Sequence, residues 1–114
     1  MPPEPIQHEL IHYTDAGGAD LFGQWLQTLS DTTTRAAIAA RLIRLRLGLF
    51  GDCKPLGDGL WEQRTHYGPG FRVFYALESG RVVLLLAGSD KGEQAATIRT
   101  ARKRLKDWKT RRTQ

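Results

Sequence analysis

Residues 68–94 read GPGFRVFYALESGRVVLLLAGSDKGEQ, and this stretch decides the fold. Alternating apolar residues over Phe71–Leu77 predict a strand, and the short linker ESG turns the chain back into a second strand at Arg81–Ala87. The run VVLLL in the second strand is typical of a strand buried on both faces. GSDKGEQ has the capping pattern of a helix start, so the stretch predicts a β-hairpin that leads into a helix.

Two more strands are predicted in the N-terminal direction. Leu60–His66 is joined to the hairpin by the short linker YGPG, which predicts an antiparallel meander of three strands. The segment IQHELIHY, residues 6–13, predicts the first strand of the chain. The glycine-rich segment GDCKPLGDG, residues 51–59, predicts an exposed connection.

Three segments have the apolar spacing of helices. Residues 21–29 predict a first helix, and a second spans about residues 33–48; the short link between them predicts an antiparallel hairpin. A third helix, Lys91–Trp108, has one apolar stripe on a basic surface. The order β-α-α-β-β-β-α predicts an α+β fold, in which an antiparallel sheet packs against an N-terminal helical hairpin and a C-terminal helix.

The length and composition limit the classes of protein. The 114 residues predict a single domain, in which residues 109–114 form a flexible basic tail because no apolar residue follows Trp108. No apolar run reaches the roughly 18 residues that a membrane helix needs, and no signal peptide is visible, so we expect a cytoplasmic protein without membrane contact. We expect no metal and no cofactor, because Cys53 is the one cysteine and His8 and His12 lie too far apart along a strand to chelate one ion.

Positive charge is concentrated in the second half of the chain. Residues 58–114 contain twelve Lys and Arg against six Asp and Glu, whereas residues 1–57 contain five against six. This asymmetry predicts a polyanion or an acidic protein as the partner.

Four basic side chains form a candidate catalytic group. Arg64 and His66 share one face of a strand, and Arg72 lies on the neighbouring strand, so the three predict a basic patch. Lys91 begins the last helix, where free backbone amides favour anions. Arginine and lysine stabilise a phosphate, and histidine exchanges protons near neutral pH, as cleavage of RNA requires. Glu62, in contrast, is expected to be a surface residue of its strand.

Between Phe22 and Ala101 the chain carries a series of separated motifs. They read W-L-x-x-L, L-G-x-x-G-D-x-K-x-L-G-D-G, E-x-R, G-P-G-F-R-V-F-Y and L-L-x-G-x-x-K-x-x-Q. This series resembles the RelE/ParE toxin superfamily, most closely the HigB-like branch of addiction module killer proteins. The resemblance implies a toxin of a type II toxin–antitoxin pair with the order of elements given above.

The resemblance also implies roles for individual residues. Arg72, in the G-F-R-V motif, corresponds to a catalytic phosphate binder, and Lys91 corresponds to a lysine at the adjacent basic edge. Where RelE has lysines on the strand before the hairpin, this chain has Trp61 and Glu62, and we hypothesise that His66 replaces the missing proton donors. The predicted catalytic residues are Arg64, His66, Arg72 and Lys91; the predicted RNA contacts are Lys54, Trp61, Tyr67, Arg102 and Lys103.

Three functions are compatible with the resemblance. The first is an endoribonuclease that inhibits translation by cleaving mRNA on the ribosome without a metal. The second is an inhibitor of DNA gyrase that acts by protein contact, and the third is a degenerate toxin that acts only in antitoxin complex and operon autoregulation. Each implies a cognate antitoxin, typically of the helix-turn-helix type, and contact with operator DNA only through the antitoxin complex.

Overall fold

The computed structural model describes residues 7–66 and 70–112, apart from the side chain of Lys91. The elements in chain order are β1 Glu9–His12, α1 Leu21–Thr28, α2 Thr32–Arg46, β2 Cys53–Gly57, β3 Leu60–Thr65, β4 Phe71–Glu78, β5 Val82–Asp90, a 3-10 turn Lys91–Glu93, and α3 Gln94–Arg112. Each predicted strand and helix is present, and the α+β class is confirmed. None of the described helices has the length and hydropathy needed to cross a membrane.

The five strands form one mixed sheet in the order β1-β5-β4-β3-β2. The meander β3-β4-β5 is antiparallel, as predicted. The prediction of a wholly antiparallel sheet was wrong at β1, which pairs in parallel with β5. Helices α1 and α2 and strands β2, β3 and β4 lie between these two strands in the chain, and local periodicity does not specify the direction of so distant a pairing.

Both faces of the sheet are covered by helices. Helices α1 and α2 cover one face of the sheet, the α1/α2 face, where Phe22, Ile38 and Leu42 pack against Val73 and Tyr75. On the α3 face, the stripe predicted for the last helix packs against inward residues of the same strands; this cluster includes Phe74, Leu84, Leu86, Ala101 and Leu105, with Ile98 and Trp108 at its margin. Each fully buried large apolar side chain contributes about 1.5–3 kcal/mol.

A bulge in β5 determines which face of the sheet carries each side chain at the end of that strand. Phe74 pairs with Ala87, whereas the next residue, Tyr75, pairs with Leu85, so Leu86 is the extra residue. Beyond the bulge, Ser89 pairs with Arg72. Bulges shift the alternation of side chains by one residue, and here the shift places Ser89 on the same face as Arg72.

Residues 51–59, predicted to be an exposed connection, contain β2 and the turn into β3. Pro55 is compatible with β2 because this strand is at the edge of the sheet, where a missing backbone N–H has no ladder to interrupt. Asp58 and Gly59 have φ values of 55° and 83°, as a two-residue type I′ hairpin turn requires. The dipeptide Asp58–Gly59 was the sequence signal for this hairpin.

The flexible tail predicted for residues 109–114 was wrong for residues 109–112, which continue α3. Arg111 donates to the carbonyl oxygen of Thr14 and pairs with Asp107. Arg112 pairs with Glu78 on β4. These polar contacts extend the helix past its last apolar residue, which apolar periodicity alone does not detect. Residues 113 and 114 lie outside the described residues.

Candidate functional site

Two rows of side chains cross the α3 face of the sheet near the ends of β3 and β5. In one row, Arg64 pairs with Arg72, which pairs with Ser89. In the neighbouring row, Lys54 pairs with Glu62, which pairs with Phe74. Residues at paired positions project from the same face, and Phe74 belongs to the α3 cluster. The rows therefore bring Lys54, Arg64 and Arg72 to one surface, and Arg64 and Arg72 are two of the three residues of the predicted basic patch.

Glu62 is the centre of this cluster. Its side chain is fully buried, which corrects its assignment as a surface residue. Glu62 Oε2 lies 3.2 Å from Arg64 Nε, and Oε1 lies 3.5 Å from Arg72 Nη1. Gln94 Nε2 donates to Oε1 at 2.6 Å. One carboxylate thus holds two arginines next to each other and also binds the first residue of α3.

Arg72 has a donor that no described residue uses. Its side chain is 16% exposed, and its ion pair with Glu62 uses Nη1. Arg72 Nε and Ser89 Oγ are buried and have no hydrogen-bond partner among the described residues. Such unpaired groups are uncommon in folded proteins and cost free energy. A planar guanidinium with spare N–H groups at a partly exposed site is suited to binding the oxygens of an anion.

The 3-10 turn Lys91–Glu93 begins directly after β5. Asp90 caps the turn by accepting a hydrogen bond from the Gly92 amide at 2.9 Å. The backbone of Lys91 therefore lies two residues beyond Ser89, the strand partner of Arg72. The side chain of Lys91, and the whole of Tyr67, lie outside the described residues.

His66 contacts an acid that sequence reasoning missed. Its Nε2 lies 2.6 Å from Asp52 Oδ2, and its side chain is 71% exposed. The pKa of Asp52 is lowered by the hydrogen bond to His66, and the charges of Arg64 and Arg41 lower it further. Asp52 also accepts the backbone N–H of Arg64 through its carbonyl. The structure places His66 beside Asp52 next to Arg64, and no described contact joins it to Arg72.

Two of the predicted RNA contacts have structural roles. The Trp61 ring is stacked with Tyr75 at 6.5 Å in the α1/α2 cluster, so it lies on the opposite face from Arg72. Arg102 donates to the carbonyl oxygens of Leu56 and Gly57 and so holds α3 against β2. Lys103 is exposed. Within residues 7–66 and 70–112, no group of three His, Cys, Asp or Glu side chains is placed to hold a metal ion.

Comparison with known proteins identifies the family. Residues 24–106 match the family described as Phage derived protein Gp49-like (DUF891). The chain is 41% identical over 81 residues to an uncharacterized protein of Haemophilus influenzae, and the alignment covers 71% of this chain and 82% of that relative. The chain therefore belongs to the Gp49-like family, whose members are often toxins of toxin–antitoxin modules.

Proposed function

We propose that this member of the Gp49-like family is the toxin of a type II toxin–antitoxin pair of the RelE/ParE kind, and that it inhibits translation by cleaving mRNA. The observation that carries the proposal is the pair Arg64 and Arg72, held at adjacent strand positions by the buried Glu62. Two guanidinium groups against one carboxylate leave excess positive charge at a partly exposed surface. A phosphodiester supplies the matching anion.

The chemistry assigns a role to each group. The 2′-oxygen of the substrate attacks the phosphorus, its proton passes to a base, and the departing 5′-oxygen receives a proton, which leaves a cyclic phosphate. Arg72 binds the non-bridging oxygens as negative charge develops there, and Arg64 and Lys91 contribute further positive charge. His66 is the proposed proton carrier, and Asp52 orients its ring.

The form of the site supports a substrate presented by a larger assembly. Arg72 lies on a sheet face near the strand ends, and neither Arg64 nor Arg72 lines any of three cavities formed by the described residues. A shallow basic surface gives little sequence recognition by itself, since phosphate contacts carry no base information. We therefore propose ribosome-bound mRNA as the substrate and an antitoxin as the partner that controls the activity.

Primer extension on mRNA from cells briefly induced for the protein tests the proposal. The variants are Arg72→Ala and the charge-matched control Arg81→Ala, whose exposed side chain lies at the opposite end of the β4–β5 hairpin. We expect new 5′ ends with the wild type and with Arg81→Ala. We expect the ends to decrease about 100-fold or more with Arg72→Ala, because a donor to the developing charge is lost.

Purified protein with free RNA provides the second arm of the experiment. Cleavage in cells without cleavage of free RNA indicates dependence on the ribosome. Growth arrest without new 5′ ends contradicts the proposal and favours a protein target such as gyrase. Equal cleavage by Arg72→Ala and wild type contradicts the assignment of the site.

A further inference from the structure

Helix α2 carries apolar residues on two faces. Thr34, Ile38, Leu42 and Leu45 are buried against the sheet. A second set is exposed at steps of three and four residues and forms the outer face of α2, which consists of Ala36, Ala39, Ala40 and Ile43. Ile43 is 48% exposed, the highest value among the exposed large hydrophobic residues of the described chain.

Arginines border the outer face of α2 on both sides. Helical geometry places Arg35 and Arg46 along one border and Arg44 along the other, whereas Arg41 is turned toward the sheet. Residues 32–46 contain no Asp or Glu. Among the described residues, none of these four arginines forms an ion pair; Arg41 donates instead to the carbonyl oxygen of Arg64. The surface is therefore an exposed apolar strip with positive charge on both sides.

We propose that the outer face of α2 docks a helix of a protein partner, and that this helix has an apolar stripe bordered by Asp and Glu. Helix-in-groove recognition uses apolar anchors at this spacing, and acidic borders complement the arginines in charge. A nucleic acid would neutralise the arginines but leave Ile43 in contact with water. A second copy of the chain would bring two sets of arginines together, so self-association is disfavoured.

The position of this surface separates it from the candidate site. Helix α2 packs on the α1/α2 face, together with Val73 and Tyr75, whereas Arg72 projects from the α3 face. A helix docked on α2 leaves Arg72 uncovered. The inference rests on the proposed function only in identifying the partner as the antitoxin, and it then predicts that this helix excludes the toxin from a larger assembly.

The test is titration of the full chain with a synthetic helical peptide that has leucines at a and d positions and glutamates at e and g. Amide NMR shifts locate the contact, and a peptide with lysines in place of the glutamates tests the charge requirement. We expect the shifts to cluster at residues 32–47. Ile43→Glu and the double variant Arg35→Glu/Arg44→Glu should each weaken binding about tenfold or more. The lysine peptide should not bind.

Leu77→Glu is the matched control, because Leu77 is also an exposed large hydrophobic residue but lies on β4. It should bind the glutamate peptide as the wild type does. The proposal is overturned by absence of binding, by unchanged binding of Ile43→Glu, by stronger shifts of the same amides with single-stranded RNA, or by a dimer in light scattering. Thermal unfolding verifies that each variant is folded. Arg72→Ala should bind the peptide normally, so a failure here is distinguishable from a failure of the proposed RNA cleavage.

Discussion

Glu62 Oε1 accepts a 2.6 Å hydrogen bond from Gln94 Nε2, so a buried carboxylate of β3 is joined to the first residue of α3. The same carboxylate lies beside Arg64 and Arg72. A change at Glu62 therefore acts on both arginines of the candidate site and on the turn that contains Lys91. This arrangement makes Glu62 a positioning residue, since its buried oxygens already contact protein groups.

We expect Glu62→Gln to lower both stability and cleavage. The amide keeps the size of the side chain but removes the negative charge between two guanidinium groups. Loss of charge-assisted hydrogen bonds in a buried site costs about 2 kcal/mol of the free energy of unfolding. Displacement of Arg72 by repulsion should reduce cleavage about tenfold or more. Urea unfolding and primer extension measure the two effects.

Glu78→Gln is the control for this substitution. Glu78 pairs with Arg112 at the opposite end of β4, and the arginine side chain is half exposed. An ion pair with an exposed partner contributes about 1 kcal/mol or less. We expect normal cleavage from this variant. If Glu62→Gln cleaves as well as Glu78→Gln, Glu62 does not position the arginines.

Gly88→Ala should destabilise the fold through Trp25. A Cβ atom at residue 88 would lie 2.2 Å from the Trp25 ring, which packs directly on the β5 backbone. Forcing the ring away from a packed core costs about 1–3 kcal/mol. Thermal unfolding of Gly88→Ala, with Gly17→Ala as a control at a position where the new atom makes an ordinary contact, checks the prediction.

The double variant Gly88→Ala/Trp25→Leu separates steric overlap from other effects. A smaller side chain at residue 25 leaves room for the methyl group, so the two substitutions should destabilise less together than the sum of each alone. Simple additivity would show that the ring and residue 88 do not compete for the same space.

The parts of the fold that were predicted correctly are those with strong apolar periodicity. The meander and the stripe on α3 bury large side chains at regular spacing, and that spacing is visible in the chain. Strand β2 was missed because glycine and Pro55 indicated a loop, although an edge strand tolerates both. The second helix was predicted to extend to about residue 48, but α2 ends at Arg46, and Leu49 beyond it is 46% exposed.

The candidate site was predicted in part, for a physical reason. Alternation along the strand predicted the face of the sheet on which Arg64 lies. The pairing of β3 with β4 places Arg72 beside it. The same alternation put Glu62 on this face, but the sequence does not reveal that α3 covers it and buries the charge. Asp52 was missed as the partner of His66 because the two are fourteen residues apart and meet only through the β2–β3 hairpin.

Alkaline pH should destabilise the protein through Tyr75. Burial raises the pKa of this phenol, and its contact with Cys53 raises it further. In the unfolded chain, tyrosine ionises at about pH 10. Above that pH the unfolded state therefore loses a proton that the folded state retains. The free energy of unfolding should therefore fall as the pH rises above about 10. Urea unfolding at a series of pH values measures the slope.

Tyr75→Phe tests the source of this slope. The variant lacks the buried phenol, so its stability should depend less on pH above about 10. Some dependence should remain, because burial also raises the pKa of Tyr13 and of the Cys53 thiol. An equal slope in wild type and Tyr75→Phe would show that Tyr75 ionises similarly in the folded and unfolded states.

His66 is the remaining residue of the proposed chemistry, and its substitution tests the proton transfer. His66→Ala should lower cleavage about 100-fold, as expected when a general acid or base is removed, while the exposed position of the ring keeps the fold intact. Asp52→Asn should lower cleavage less, because the amide still contacts the ring although it no longer attracts the imidazolium. Cleavage rates from primer extension at several pH values, with unfolding curves for both variants, distinguish chemistry from stability. An unchanged rate in His66→Ala would remove His66 from the mechanism and leave a site that binds the phosphate through Arg72 while taking its protons from the ribosome or from water.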